Sequence, residues 1–181
     1  MLLPQLKRHL YVCGLNDVPQ VLRRDPQFWH VLSILEPTIP RQRFREAKSV
    51  FHIAFYDVEN PANAQGMRAA CAADLKQILK FIDNLPSEGG LLIHCRAGIS
   101  RSAAVALGLI IRGFIDRGDG EFEEEAVGQL LELRPQAAPN ALVLRLLLNT
   151  VMPHADSEAT VIRVLNHPRF VENRFINPLR E

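Results

Sequence analysis

Apolar residues in this chain follow two rhythms, short continuous runs and longer stretches spaced by three and four. Leu10-Tyr11-Val12-Cys13 is a short run closed by Gly14, as expected of a buried strand. Asn16 or Asp17 then offers an N-cap for a short helix through Arg24, with Pro19 tolerated in its first turn. Val31 to Leu35 predicts a second strand, ended by Glu36-Pro37, and Ser49 to Phe55 a third, biased toward β-branched and aromatic residues. From Ala62 to Leu85 the rhythm changes: Met67, Cys71, Leu75, Ile78, Leu79 and Ile82 recur at helical spacing and predict one amphipathic helix.

After a turn over Pro86 to Gly90, Leu91-Leu92-Ile93-His94-Cys95 reads as a central strand covered on both faces. Ser102 to Arg117 is apolar nearly all round, with Ala103, Ala104, Ala106 and Gly108 permitting close packing, and predicts a buried helix. Glu121 to Leu133 predicts a further helix, acidic in its first turn and stopped by Pro135, and Pro139 opens another through Leu148. Strands alternating with helices imply an α/β three-layer sandwich, a central mostly parallel sheet flanked by helices. Residues 1–156 read as a single domain, and residues 157–181, with Pro168 and Pro178, as a C-terminal extension whose docking the pattern leaves open.

The 181 residues suit one core. With 21 basic against 20 acidic residues the net charge is +1, and one Trp and two Tyr are present, so a nucleic-acid partner is not expected. Cys13, Cys71 and Cys95 form no Cys-x-x-Cys pair and no disulfide framework, which points to a reducing, cytoplasmic setting. Lys7 and Arg8 follow Pro4 before any apolar run develops, and the longest uncharged apolar stretch, Ala103 to Ile111, falls short of the roughly 20 residues that span a bilayer. Neither a signal peptide nor membrane insertion is expected. Oligomeric state leaves no trace in the pattern.

Chemistry concentrates in His94-Cys95-Arg96-Ala97-Gly98-Ile99-Ser100-Arg101-Ser102, between the central strand and the buried helix. Ligands of α/β sheets bind at the carboxyl ends of strands, where the next helix offers unpaired N–H groups and the positive end of its dipole. A tight loop there can wrap successive amides of Arg96, Ala97, Gly98, Ile99 and Ser100 around a tetrahedral anion, with Gly98 allowing the curvature. Cys95 at the strand end is expected to react as a thiolate, since helix N-termini and nearby cations favour that form. Arg101 supplies a planar fork that fits two phosphate oxygens.

This segment resembles the His-Cys-x5-Arg-Ser/Thr signature of the cysteine-dependent protein tyrosine phosphatase superfamily, matched at His94, Cys95, Arg101 and Ser102. The Ala97-Gly98-x-Ser100-Arg101-Ser102 portion is similar to the compact dual-specificity branch and its bacterial relatives. With Arg134-Pro135 and Pro139-Asn140 the resemblance covers roughly residues 49 to 148. It implies a phosphatase-like fold, a phosphoprotein substrate, and two chemical steps without metal or other cofactor. Cys95 attacks phosphorus, the loop amides and Arg101 hold the oxygens, and Ser102 eases the departure of the sulfur. The resemblance also asks for an acid on an upstream loop that follows a strand. Asp57, 38 positions before Cys95, occupies that place, with Glu59 in reserve.

Blander readings accompany each choice. Cys13 and Cys71 read as inert packing, and His94 as a core histidine that orders the loop. Asp57 could merely end a strand, and Arg96 could be solvated. Arg41, Arg43 and Arg45 read as a solvated loop more readily than as a basic rim. Phosphotyrosine is the expected substrate, with phosphoserine and phosphothreonine open. A phosphoinositide or other small phosphomonoester, and a phosphate-binding module without turnover, are the alternatives.

Overall fold

Five strands make one sheet in the structure, a computed structural model that describes residues 1–152 and 155–176. They are β1 (Leu2–Leu3), β2 (Arg8–Gly14), β3 (Trp29–Leu35), β4 (Ser49–Ala54) and β5 (Gly90–Cys95), in the spatial order β1-β2-β5-β3-β4. β2, β5, β3 and β4 run parallel, and only β1 is antiparallel. Seven α-helices occur among the described residues: α1 (Val18–Arg24), α2 (Ala72–Asp83), α3 (Arg101–Arg117), α4 (Glu123–Leu133), α5 (Ala141–Val151), α6 (Ala155–Leu165) and α7 (Pro168–Ile176). The expected α/β sandwich is therefore present.

Side chains alternate across the sheet, as strand geometry requires. Leu10, Val12, Leu32, Ile34, Leu91 and Ile93 join the large core under the helices, whereas Cys13, Trp29, Val31 and Leu92 pack on the other face against Val18, Val21 and Leu22 of α1. All of β5 is buried, which explains its unbroken apolar run. Each fully buried Leu or Ile contributes about 1.5–3 kcal/mol of transfer free energy. α3 lies so close to α5 that a Cβ on Gly108 would come within 2.6 Å of Leu147 Cδ2.

Several boundaries differ from expectation. The helix read from Ala62 is confined to Ala72–Asp83. Pro61–Asn63 is a single 3₁₀ turn, and Gln65 and Gly66 adopt left-handed φ values of 46° and 84°, which no helix can continue through. Cys71 instead caps α2: its backbone N–H donates to Asp74 Oδ2 at 2.9 Å while its thiol faces the N–H of Asp74. Met67 and Cys71, expected on the buried face, are exposed, so Cys71 is a cap and not core packing.

Smaller shifts follow from local chemistry. β4 ends at Ala54, although the Phe55 N–H still donates to Leu35 O. α3 starts one residue earlier than expected, at Arg101, and α4 two residues later, after a buried Phe122. α5 follows an N-cap at Asn140 and runs on to Val151. From Ser157 onward the described chain docks: Val161, Val164, Leu165 and Phe170 enter the main core, and Asn173 Nδ2 donates to Pro135 O and Ala137 O. Pro178 and the rest of 177–181 lie outside the described residues. Among the described residues no helix is long and apolar enough to cross a membrane.

Candidate active site

The parallel strands bring the carboxyl ends of β2, β3, β4 and β5 to one edge, and the loop from Cys95 to Arg101 sits on it. Gly98 has φ +73°, and a Cβ there would stand 2.3 Å from the carbonyl carbon of Cys13. Only glycine fits, because the loop lies directly against the end of β2.

The outside of the loop is fastened carbonyl by carbonyl. Arg96 O accepts from Leu15 N at 3.0 Å, Ala97 O from Arg134 Nη2 at 3.0 Å, and Gly98 O from Arg134 Nε at 3.1 Å. Ile99 O accepts from Ala138 N at 2.9 Å and Ser100 O from Asn140 N at 3.3 Å. Oxygen and hydrogen point oppositely across a trans peptide, so outward carbonyls turn the following N–H groups inward. The result is a cradle of amides suited to an anion. One of them is engaged within the loop: Gly98 N donates to Cys95 Sγ at 3.2 Å.

Cys95 Sγ also lies 3.1 Å from Ser102 Oγ, in the first turn of α3, and the residue is almost wholly buried. His94 is fully buried, its Nδ1 is 3.3 Å from Cys95 O, and Phe44 meets its ring edge-on at 5.4 Å. Burial pushes the His94 pKa down to about 4. The ring is thus packed and neutral next to the loop.

Arg101 is the largest fully buried side chain described. Its Nη2 donates to Glu36 Oε1 at 2.6 Å and its Nη1 to Phe55 O at 2.9 Å. Nε makes no hydrogen bond and stands 3.8 Å from Asp57 Oδ2. The guanidinium is thus clamped along its outer edge by the residues that directly follow β3 and β4. Sequence reasoning took Glu36 only as a strand terminator. Its signal was a carboxylate placed directly after an unbroken apolar strand, at the edge where α/β sites form.

Asp57 Oδ1 accepts from Ser100 Oγ and from Asn140 Nδ2, each at 2.7 Å. The fold therefore brings Asp57, Ser100, Arg101 and Asn140 together, with Cys95 and Ser102 at the base of the same loop. A cleft of about 660 Å³ opens beside them, lined by Glu36, Tyr56, Asp57, Glu59, Met67 and Arg96 among others. Glu59, the reserve acid, is exposed on that wall. Arg41, Arg43 and Arg45 are exposed and absent from the cleft lining, although Arg41 borders a separate cavity of about 50 Å³ beside Glu36 and His52. Among the described residues no group of three or more His, Cys, Asp or Glu side chains is placed to hold a metal ion.

No protein-family model matches the chain. Over 102 residues, 49% of its length, it is 30% identical to dual specificity protein phosphatase 2 of Mus musculus, covering 30% of that protein. The chain spans less than a third of the length of the curated relatives it matches. In three dimensions it is similar to the Yvh1 phosphatase domain from Chaetomium thermophilum, with a TM-score of 0.56, 25% identity, and coverage of 81% of this chain and 94% of that one. It is also similar to a human tyrosine phosphatase-like serine/threonine/tyrosine-interacting protein, with a TM-score of 0.58, 22% identity, and coverage of 83% and 93%.

Proposed function

We propose that this chain, a dual-specificity-like member of the cysteine-dependent protein tyrosine phosphatase superfamily, is a protein phosphatase that cleaves phosphotyrosine through a cysteinyl-phosphate. The observation that carries the reading is the amide cradle with a thiol at its base and a clamped arginine at its rim. Cys95 Sγ attacks phosphorus as the ester P–O bond breaks, and Asp57 gives its proton to the departing oxygen. Water then attacks the phosphorus, its proton passes to Asp57, and the S–P bond breaks to release inorganic phosphate and the thiolate. The amides of Ala97 to Arg101 and the free Nε of Arg101 stabilise the equatorial oxygens in both steps, and Ser102 hydrogen-bonds the departing sulfur.

Depth favours an aryl substrate. The buried Cys95 suits the long stem of phosphotyrosine better than the short stems of phosphoserine and phosphothreonine. Glu36, Asp57 and Glu59 around the cleft disfavour a polyanionic inositol phosphate, which Arg96 alone does not offset. A binding module without turnover would have no use for Ser102 against the sulfur or for a carboxylate beside Arg101. The need for a reduced thiol fits a cytoplasmic setting.

The test is phosphate release in the presence of a chelator, from phosphotyrosyl, phosphoseryl and phosphothreonyl peptides and from a phosphoinositide. Fastest release from the phosphotyrosyl peptide, lost in Cys95→Ser, is expected. Turnover that survives Cys95→Ser, or that needs a divalent metal, would overturn the mechanism.

A further inference from the structure

Asp57 presents two unequal oxygens. Oδ1 already accepts two hydrogen bonds of 2.7 Å, from Ser100 Oγ and Asn140 Nδ2, whereas Oδ2 faces Arg101 Nε at 3.8 Å. Protonating Oδ1 would displace one of those donors, while a proton on Oδ2 leaves both in place.

We propose that Asn140 is a positioning residue that, with Ser100, divides the work of the Asp57 carboxylate: Oδ1 is the anchor, and Oδ2 carries the proton given to the leaving group. The assignment rests on the reading of Asp57 as the general acid and specifies how that acid is held.

Asn140 is fully buried, and its amide orientation is fixed by chemistry. Its Oδ1 accepts from Val143 N at 2.9 Å as the N-cap of α5, so its Nδ2 must be the group that meets Asp57. The same Nδ2 reaches Val58 O at 3.3 Å, and the backbone N–H of Asn140 donates to Ser100 O at 3.3 Å. One residue thereby ties the start of a core helix to both the phosphate cradle and the acid-bearing loop.

During ester cleavage the proton leaves Oδ2 for the departing oxygen, and the negative charge left on Asp57 is stabilised by the two donors on Oδ1. When water attacks the cysteinyl-phosphate, Oδ2 receives a proton back. The charged groups around Asp57 are Arg101 from α3, Glu36 from the end of β3, and Glu59 and Arg96 across the cleft.

Two substitutions separate this role from simple support of α5. Ser and Asp are both good N-caps, so Asn140→Ser and Asn140→Asp preserve the start of the helix. Asn140→Ser is too short to reach Asp57. Asn140→Asp sets a second carboxylate against Oδ1 and raises the proton affinity of Asp57. The probes are aryl phosphates whose leaving groups run from good to poor, with kcat measured across pH.

Asn140→Ser should lose about 10–100-fold on the poorest leaving group and only a few-fold on the best. Asn140→Asp should move the pH limb assigned to Asp57 upward, and Ser100→Ala should steepen the leaving-group dependence in the same direction as Asn140→Ser. Equal losses on good and poor leaving groups, or an unmoved pH limb with wild-type turnover intact, would overturn the assignment alone. Absence of wild-type turnover on every aryl phosphate would overturn the phosphatase reading and the assignment with it.

Discussion

Cys13 and Cys95 stand on adjacent parallel strands, one residue out of register, and each is 1% exposed. Their surroundings differ completely. Cys13 points into the smaller core with Val18, Leu22, Trp29 and Val31, and burial, reinforced by Asp17, pushes its thiol up to about 12. Cys95 points the other way, receives the Gly98 N–H, and sits beside Ser102 Oγ at the start of a seventeen-residue helix. Equal burial leaves one thiol among apolar side chains and gives the other polar neighbours, and on the proposed reading those neighbours, with the helix start, are what let Cys95 react.

Substitution separates the two thiols most visibly. Cys95→Ser should lower turnover by about 10³-fold or more, whereas Cys13→Ala should leave kcat within about twofold and cost only about 1 kcal/mol of stability. Comparable losses in the two variants, measured on one aryl phosphate, would erase the distinction. Arg101→Lys comes next, since a single ammonium cannot keep Glu36 and Phe55 O while turning a further N–H of fixed direction toward phosphate. A fall of about 10²–10³-fold in kcat/KM is expected, and full activity in the lysine variant would show that the clamp is dispensable.

Gly98 is where the two cysteine environments touch. Gly98→Ala places a methyl against the backbone of Cys13 and Gly14 at positive φ and should cost about 2 kcal/mol or more, read from urea unfolding. Retained stability would mean that the loop does not lie on β2. Chemical modification sharpens the contrast further. Cys71 is exposed and should alkylate in any state, Cys95 should alkylate only when inorganic phosphate is absent, and Cys13 should stay unmodified until the chain unfolds. Peptide mass spectrometry reads the three sites separately, and phosphate-insensitive labelling of Cys95 would remove it from the anion site.

Acid acts through the buried histidine next to Cys95. His94 ionises near 4 in the folded chain against about 6.5 when unfolded, so the unfolded state binds the extra proton between those values. Stability should therefore fall as pH drops from about 6.5 to 4, by up to about 3 kcal/mol for this group. His94→Asn should flatten that part of the profile, and an unchanged slope in the variant would assign the loss elsewhere.

The strands and the buried helix were legible because each carries a strong local pattern: β5 is apolar throughout, and α3 buries thirteen residues. The loop between them was legible because its chemistry is contiguous. The start of α2 was not, since Met67 and Cys71 keep helical spacing while Gln65 and Gly66 turn the chain the other way. β1 is too short to have a period. The contacts of Glu36, and of Asn140 that the resemblance named only within Pro139-Asn140, escaped for a different reason. Glu36 reaches Arg101 across 65 positions and Asn140 reaches Asp57 across 83, so their roles exist only once the sheet edge assembles. The resemblance made Asp57 the candidate acid but could not say which of its oxygens is anchored.

The central claim, that Cys95 becomes covalently phosphorylated during turnover, is tested most directly by acid-quenching the enzyme with a rapidly turned-over aryl phosphate and mapping the adduct by mass spectrometry. One phosphoryl group on the peptide carrying Cys95, absent from Cys95→Ser and accumulating when attack by water is slowed in Asp57→Asn, is the predicted result. A phosphoryl group on another residue during active turnover, or turnover with no covalent adduct in either form, would contradict it.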